Sequence, residues 1–524
     1  KDFIKTIYQI GDISDQVISK TIHQIFDQKK VDIFETLPKE MILKYRLLQR
    51  EQAFKKLHLP NTKKDIIEAE RRFKYEEAFF LQLKLAASEL KKETRAPKAY
   101  DIDKVKQMID YIPYDLTNDQ KKATNEVFKD FKKPQTSYRL ILGDVGSGKT
   151  VVAMICAYAC LTALEQVAIM APTELLAQQH YKVFKTFLND FKVALLTKST
   201  PQKAKLKQAI SRKEVDLVIG TQALITEDVT FKNLGLVIID EQHKFGVNTR
   251  QMLINKATSK DVIFLSATPI PRTLAMILYS QADLSLIKEK PVLRKPVETI
   301  YLEKDKEKDI YHHIQRRIDR LEHIYVVVPA IFSTNVTDNI QNVYQRLKAS
   351  IKTDIYVLHG QLSDQEKQQV MHAFIGHKGS ILVSTTMIEV GIDLKTATLM
   401  IIYGAEHFGL SQLHQLRGRV GRSDLESQCI LISDQSEHER LHALTNTHDG
   451  FELSEIDLNQ RGPGDFLGQD QSGFLDLKYL NILKDEHILK AAHQDVLNLI
   501  NQNDFYQNPK FKHLVQYMNA ALKL

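Results

Sequence analysis

The stretch Gly143-Asp144-Val145-Gly146-Ser147-Gly148-Lys149-Thr150 fits G-x-x-x-x-G-K-[ST] and directly follows the apolar run Leu140-Ile141-Leu142. Glycines at those positions let backbone N–H groups turn inward around phosphate oxygens, at the positive end of the helix that follows. In such a loop Lys149 neutralises the β- and γ-phosphates and the Thr150 hydroxyl holds Mg2+. The bare pattern arises by chance in about 1–2% of chains this long. A strand before it and a helix after it make chance a poor explanation. Further on, Asp240-Glu241-Gln242-His243 ends a second apolar run. A phosphate loop needs an acid to bind Mg2+ and a base to orient water, and Asp240 and Glu241 suit those roles. An acidic turn after a strand is the bland alternative, and the phosphate loop outweighs it.

Gln415-Leu416-Arg417-Gly418-Arg419-Val420-Gly421-Arg422 places glycines between guanidiniums. Arg419 and Arg422 could reach a γ-phosphate as arginine fingers do, the alternative being a basic surface loop. Ser266-Ala267-Thr268-Pro269 follows another apolar run and could link a nucleotide site to a moving neighbour. Glycines and hydroxyls also gather after other runs, at Pro172-Thr173, Gly220-Thr221-Gln222, His359-Gly360, and Ser384-Thr385-Thr386 through Gly391-Ile392-Asp393. Neutral donors at strand ends suit backbone phosphates and read no base sequence. The 18 histidines, His312-His313 among them, form no metal-ligand spacing.

These residues need strands to carry them. From about 100 to 290, short apolar runs alternate with helical stretches: Leu140–Leu142, Val167–Met170, Leu217–Ile219, Val237–Ile239 and Val262–Leu265. After Pro296 the pattern restarts with Tyr325–Val328, Ile355–Leu358, Ile381–Val383 and Leu399–Ile402. Fully apolar short runs between helices indicate parallel sheets covered on both faces. Residues 1–95 read as helical: Ser14 can cap a helix carrying Ile18, Ile22, Ile25 and Phe26, and a long helix follows Thr62. That helix carries Ile66, Ala69, Phe73, Phe80 and Leu83 near one face. Its charges Glu70, Arg71, Arg72, Lys74, Glu76 and Glu77 read as a solvated face, and Lys91 to Pro97 as a linker.

Composition sets the outer bounds. The 524 residues suggest three or four domains, and 43% hydrophobic with 26% charged residues is ordinary for a globular chain. The net charge of +7 permits a polyanionic partner without requiring one. No apolar stretch approaches the roughly 18 residues that cross a bilayer. The three cysteines argue against a disulfide framework: Cys156 and Cys160 on a helix and Cys429 in a strand-like run are expected as buried small hydrophobes, in a reducing compartment such as the cytoplasm. The opening Lys1-Asp2-Phe3 lacks an initiator Met and a signal core, so the expectation is a chain that continues upstream.

Taken in order, these motifs resemble helicase superfamily 2. Asp115-Leu116-Thr117-Asn118-Asp119-Gln120 resembles the motif whose Gln reads adenine; Ala171 to Leu176 and Gly220 to Leu224 resemble its DNA-contacting motifs. Narrower still, Asp240 to Val247 and His407 to Arg422 are similar to the RecG family and the related Mfd translocases. Arg461-Gly462-Pro463-Gly464-Asp465-Phe466-Leu467-Gly468, followed by Gln471-Ser472-Gly473, resembles their translocation loop, in its RecG form. His58-Leu59-Pro60 and the helix from Ala69 to Leu85 look like the segment joining a wedge domain to the motor.

That resemblance implies an α/β fold of two tandem RecA-like parallel-sheet P-loop domains, with an N-terminal helical segment and a small C-terminal helical and loop extension. It divides the chain into a wedge remnant and linker helix (1–95), an ATP-binding motor domain (96–290), a second motor domain (291–437) and a translocation-loop region (438–524). It implies ATP and Mg2+ as cofactors, with Tyr114, Leu116, Thr117, Gln120, Gly143, Val145, Gly146, Ser147, Gly148, Lys149, Thr150, Gly391 and Asp393 around the nucleotide. Thr150 and Asp240 would hold the metal; Lys149, Asp240, Glu241, Gln415, Arg419 and Arg422 would carry hydrolysis. Pro172, Thr173, Gly220, Thr221, His243, Ser266, Thr268, His359, Thr385, Thr386, Arg461 and Gln471 would contact DNA or couple to it.

The implied activity is ATP-driven translocation on duplex DNA that remodels forks and Holliday junctions, by a nucleoid-associated cytoplasmic monomer. From the resemblance alone it includes contact with a single-strand-binding protein. The alternatives are an Mfd-like translocase, a general RNA helicase and a non-catalytic nucleotide-gated clamp. Departures from the family pattern are Lys244 in place of Arg, Asp470 where a basic residue is expected, and Tyr403-Gly404 with His407 in place of Glu-Asn and Arg. The oligonucleotide-binding wedge domain is also not seen in this sequence.

Overall fold

The computed structural model describes residues 7–8, 14–28, 32–87, 93–241, 245, 247–256, 260–267, 282–290, 295–329, 338–385, 394–434, 439–467, 477–482, 484–502 and 504–521. They sort into two units: one of Lys1–Lys91 with Arg461–Leu524, the other of Lys92–Pro271 with Ala282–Gln460. No helix among the described residues is long and apolar enough to cross a membrane.

The larger unit is built on two parallel sheets. In the first lobe, β1 (Tyr138–Gly143), β2 (Gln166–Met170), β3 (Val193–Leu196), β4 (Leu217–Gly220), β5 (Leu234–Ile239), β6 (Asp261–Ser266) and β7 (Asp283–Ile287) lie in the order β3-β4-β2-β5-β6-β1-β7. In the second, β8 (Glu298–Glu303), β9 (His323–Val327), β10 (Ile355–Leu358), β11 (Ile381–Ser384), β12 (Ala397–Ile402) and β13 (Gln428–Ser433) lie in the order β10-β11-β9-β12-β13-β8. All pairings between strands are parallel. Helices cover both faces, so the central strands are buried throughout and read as unbroken apolar runs.

The helix Lys149–Thr162 is itself buried from Val151 to Leu161, which is why its sequence is apolar all round rather than on one stripe. Cys156 and Cys160 lie within it and Cys429 within β13, all buried thiols as expected, and burial pushes the Cys429 thiol up to about 12.

Residues 93–98 are not the loose linker the sequence suggested. Arg95 Nη2 donates to both Asp261 oxygens (3.0 and 2.9 Å), and Lys98 donates to Gly235 O (3.0 Å) while pairing with Glu165. Both cations are buried, and a buried cation persists only with such partners.

The smaller unit gathers the N-terminal helices and the C-terminal segment around the helix Lys63–Ala87. Its apolar face is as expected, with Ala69, Phe73 and Leu83 buried. Its charges are only in part a solvated face: Arg71 is exposed, but Arg72 and Glu76 are buried. Arg72 is fully buried, donating to Leu48 O (3.0 Å) and Glu76 (2.8 Å) and pairing with Glu35. Glu77 accepts the backbone N–H groups of Lys478, Tyr479 and Leu480 (3.0, 3.0 and 2.8 Å). The helix is flanked on several sides, so these polar residues meet protein groups rather than water alone. Ser14 precedes the helix Asp15–Asp27 at the capping position but makes no side-chain cap bond.

Asp495, on the helix Glu486–Ile500, is buried and accepts from Tyr45 OH and Tyr75 OH (2.7 Å each) and from Lys44 Nζ (2.5 Å). Removing that carboxylate leaves a buried phenol without its acceptor. Asp495→Ala is therefore expected to lower unfolding free energy by about 1–3 kcal/mol, read by urea denaturation with circular dichroism. Asp495→Asn, which keeps an acceptor oxygen, should lose less. An unchanged midpoint for the alanine variant would show that the cluster adds no net stability.

Candidate active site

β1 ends at Gly143 and the helix Lys149–Thr162 begins six residues later, so the intervening loop must turn within a few bonds. Gly146 (φ 77°) and Gly148 (φ 86°) sit in the left-handed region that side chains avoid. At Gly148 there is no room either: a Cβ would lie 2.2 Å from Gln120 Nε2. Lys149 follows, buried, with Nζ donating to Gly143 O (2.7 Å) and Asp144 O (2.9 Å). Burial lowers its pKa, against the pull of Glu241, Asp240 and Asp144. Val145 donates its N–H to Asp144 Oδ1 (2.6 Å), and the buried Ser147 Oγ has no hydrogen-bond partner among the described residues. Thr150 is half-buried at the start of the helix.

β5 delivers the acids. Asp240 is buried; its Oδ2 accepts from His180 Nε2 (2.7 Å) and its Oδ1 from Glu241 N–H (3.0 Å). Burial opposes its charge, yet the hydrogen bond and charge of His180, with Lys149, hold the carboxyl below its ordinary range. Glu241 behaves oppositely: burial and the neighbouring Asp240 push its carboxyl up, while Lys149 and Arg419 pull it down. Its backbone has φ 47°, a conformation that costs a non-glycine residue about 1–3 kcal/mol. Ala267 N–H, just past the buried Ser266 at the end of β6, lies 3.5 Å from Glu241 Oε2.

The second lobe reaches this site through the helix Leu410–Arg417 and the turn that follows. His414 Nε2 lies 2.6 Å from Asp144 Oδ1 and Arg417 Nη2 lies 2.9 Å from His414 Nδ1. Arg417 can only donate, so Nδ1 accepts and the proton sits on Nε2, donating to the carboxylate. Lys290 Nζ meets the other Asp144 oxygen at 2.8 Å. Burial works against the Asp144 charge, but His414 and Lys290 hold its carboxyl far below the ordinary range. Arg417 also donates to Leu444 O (2.7 Å) and Thr447 O (3.0 Å), so it braces the lobe. Gln415 and Arg419 are buried, and Arg419 is close enough to act electrostatically on both Lys149 and Glu241. Arg422 is half-buried, its Nε donating to Gly418 O (3.2 Å).

Beside the loop, Thr117 and Gln120 form a capping box on the helix Asn118–Phe131, and Gln120 Nε2 donates to Ser147 O (2.8 Å). Leu116 is buried and Tyr114 exposed. The strand-end residues also fall at the carboxyl edges of their sheets. Pro172 and Thr173 follow β2, and Thr173 caps the helix Glu174–Phe187 through Leu176 N–H (3.3 Å). Gly220 closes β4, where a Cβ would lie 2.2 Å from Leu196 O, and Thr221 follows, buried. His359 and Thr385 follow β10 and β11. His243, Thr268, Thr386, Gly391, Asp393 and Gln471 lie outside the described residues. Arg461 falls within the helix Gly450–Leu467, its side chain outside the description.

The structure thus gathers Lys149, Asp240, Glu241 and Arg419, and adds residues not singled out from sequence: Asp144, His180, His414 and Lys290. Two of these were inside quoted motifs; His180 signals itself only as a polar residue on the buried side of its helix. The positive-φ glycines, the buried ammonium and the unpartnered Ser147 hydroxyl suit a nucleoside triphosphate. Among the described residues no cluster of His, Cys, Asp or Glu could hold a metal without such a ligand.

Comparison with known proteins places these features. The chain matches the DEAD/DEAH box helicase family over residues 117–277, the helicase conserved C-terminal domain over 306–424, and ATP-dependent DNA helicase RecG, domain 3, C-terminal, over 447–523. It is 41% identical over 534 residues to the ATP-dependent DNA helicase RecG of Staphylococcus epidermidis, covering 99% of this chain and 78% of the relative. The Staphylococcus aureus RecG is likewise 41% identical over 533 residues, with 99% and 77% covered. A solved structure of RecG bound to a three-way DNA junction superposes with a TM-score of 0.74 at 36% identity, covering 92% of this chain and 65% of that one.

The lobes also approach closely at Gly418, where an added Cβ would lie 2.9 Å from Val145 Cβ. Overpacking of this kind costs about 1–3 kcal/mol. Gly418→Ala is expected to slow phosphate release from ATP by about 5- to 150-fold if the strain falls on the reactive arrangement. Adding Val145→Ala should recover part of that loss. Full activity in the single variant would show that hydrolysis does not need this contact.

Proposed function

The chain belongs to the RecG family of ATP-dependent DNA helicases, and from that membership we propose that it is a double-stranded DNA translocase that remodels branched DNA. The observation that carries the reading is the buried Lys149 and Asp240 with the half-buried Glu241 on one lobe, under the field of Arg419 from the other. A clamp that merely binds nucleotide needs neither a base of raised pKa nor an opposing arginine. The match over residues 447–523 favours RecG over an Mfd-like motor or an RNA helicase.

In this reading Gln120 recognises adenine with Tyr114 beside the ring, and Leu116 and Thr117 shape the pocket. Backbone amides from Gly143 to Gly148, with Lys149, hold the phosphates. Thr150 and Asp240 would hold Mg2+, which would supply positive charge to offset that of the phosphates. Glu241, a stronger base than an exposed carboxylate because burial and Asp240 raise its pKa, orients and deprotonates the attacking water. Gln415, Arg419 and Arg422, with Gly391 and Asp393, complete the site from the second lobe. ATP favours the closed pair of lobes and product release reopens them, so each cycle advances the motor along the duplex.

DNA backbone contacts would come from Pro172, Thr173, Gly220, Thr221, His243, His359, Thr385 and Thr386, with Ser266 and Thr268 coupling them to hydrolysis. Arg461 and Gln471 would grip the duplex. The proposed division is 1–95, 96–290, 291–437 and 438–524. The outcome is fork regression and Holliday-junction branch migration, by a monomer at the nucleoid that meets single-strand-binding protein.

The test is ATP turnover at fixed salt with no nucleic acid, single-stranded DNA, duplex, a synthetic fork or RNA, since salt controls phosphate-driven affinity. Strongest stimulation by the fork, or equal stimulation by fork and duplex, supports a DNA motor. Stimulation by RNA alone overturns it. Glu241→Gln is expected to bind ATP and hydrolyse it at least about 100-fold more slowly. Wild-type turnover in that variant would reassign the base.

A further inference from the structure

Asp240 is held by a second element that the nucleotide motifs do not include. His180 sits on the helix Glu174–Phe187, and its Nε2 donates to Asp240 Oδ2 at 2.7 Å. Exposure is 6% for His180 and 8% for Asp240, so water does not substitute for this bond. The imidazole is braced in turn by the edge of Phe184, with ring centroids 6.2 Å apart at 86°. With Glu241 N–H on the other oxygen at 3.0 Å, the carboxylate plane is fixed by donors from two directions. Without His180, a buried carboxylate oxygen would lose its donor and the group would be drawn toward the ammonium of Lys149, whose charge already acts on it.

The same helix starts at Thr173, whose side chain caps it, directly after Pro172. Its first residue, Glu174, accepts from Ser199 Oγ (2.8 Å) and from Gln368 Nε2 of the second lobe (3.2 Å). Thr173 and His180 are about two helical turns apart, roughly 10 Å along one rigid rod. A tilt at the start of that rod therefore moves the donor that orients Asp240.

We propose that His180 is a positioning residue: its hydrogen bond to Asp240 sets the geometry of the Mg2+-holding acid and ties it to the helix that begins at the strand-end contact Pro172-Thr173. The inference rests on the assignment of Asp240 to Mg2+ made above. Residues that orient a metal-holding group typically change metal affinity or activity 10- to 100-fold when removed.

The experiment measures ATP hydrolysis by the full chain against free Mg2+, with and without forked duplex. His180→Phe fills the volume and cannot donate, whereas His180→Gln keeps an N–H donor. His180→Phe is expected to need about 10-fold more free Mg2+ for half-maximal hydrolysis and to respond less to DNA. His180→Gln should stay close to the wild-type curve. A side chain that only filled the core would give the reverse order, with Phe at or near wild type, and that result overturns the proposal. So does a Gln variant no better than Phe. If the Phe variant melts early, His180→Ala, which cannot overpack, carries the same comparison. Asp240→Asn separates the two levels: if it still hydrolyses ATP, the Mg2+ assignment itself fails. If it is inactive while His180→Phe is normal, only the role of His180 fails.

Discussion

A buried ammonium cannot stand alone, and the arrangement of the larger unit follows from how Lys149 is compensated. Taking such a charge out of water is expensive unless partners of opposite sign and good geometry replace the solvent. Here two loop carbonyls accept from its Nζ, and the acids Asp240 and Glu241 set their charges against it. Arg419 adds a second cation to the same field, and Asp144 a third acid acting on Lys149. A triphosphate entering that group brings negative charge it cannot neutralise unaided. A divalent cation and the second-lobe arginines are the complement such a ligand demands, which is why hydrolysis and lobe closure belong to one event in the proposed cycle.

Sheet order turns this arrangement of charges into a cleft. β1 carries the phosphate loop and β5 the acids, and β6 lies between them. Parallel strands spaced about 4.8 Å apart separate loop and acids by roughly 10 Å, with the end of β6 as the floor. Ser266 and Ala267 occupy that floor, and the Ala267 N–H reaches toward Glu241. Because every strand runs the same way, the proposed DNA contacts after β2 and β4 open onto the same edge. The proposed nucleotide and polyanion contacts then share one rim of the sheet, and the helix Glu174–Phe187 lies beside both.

What could be read from the sequence divides along a physical line. The central strands β1, β2, β4, β5, β6, β9, β11 and β12 were legible because burial on both faces leaves unbroken apolar runs. β3, β7 and β8, three of the four edge strands, were not, since edge strands keep exposed or half-exposed positions that dilute the run; the fourth, β10, is also half-exposed but all its residues are apolar, and it was read. The phosphate loop and acid pair were legible because their chemistry is local in sequence. Arg72 and Glu77 were misread, since a charged residue on a helix looks the same whether it meets water or a backbone 400 residues away. His180 was silent for the same reason: its meaning lies in Asp240, on another element.

Asp144 shows how far a motif under-describes the site it marks. In the pattern G-x-x-x-x-G-K-[ST] its position is free, yet its carboxylate receives Val145 N–H from the loop, His414 from the second lobe and Lys290 from the segment after β7. Loop shape, lobe docking and the path between the lobes thus meet on one side chain. Arg417 adds a further condition, because by donating to Nδ1 it leaves His414 only one way to present its proton. An apolar residue at 144 would still satisfy the pattern and could still cradle phosphate through backbone amides. It would leave His414 and Lys290 without their acceptor, and the helix that brings Arg419 to the site would lose its hold on the loop.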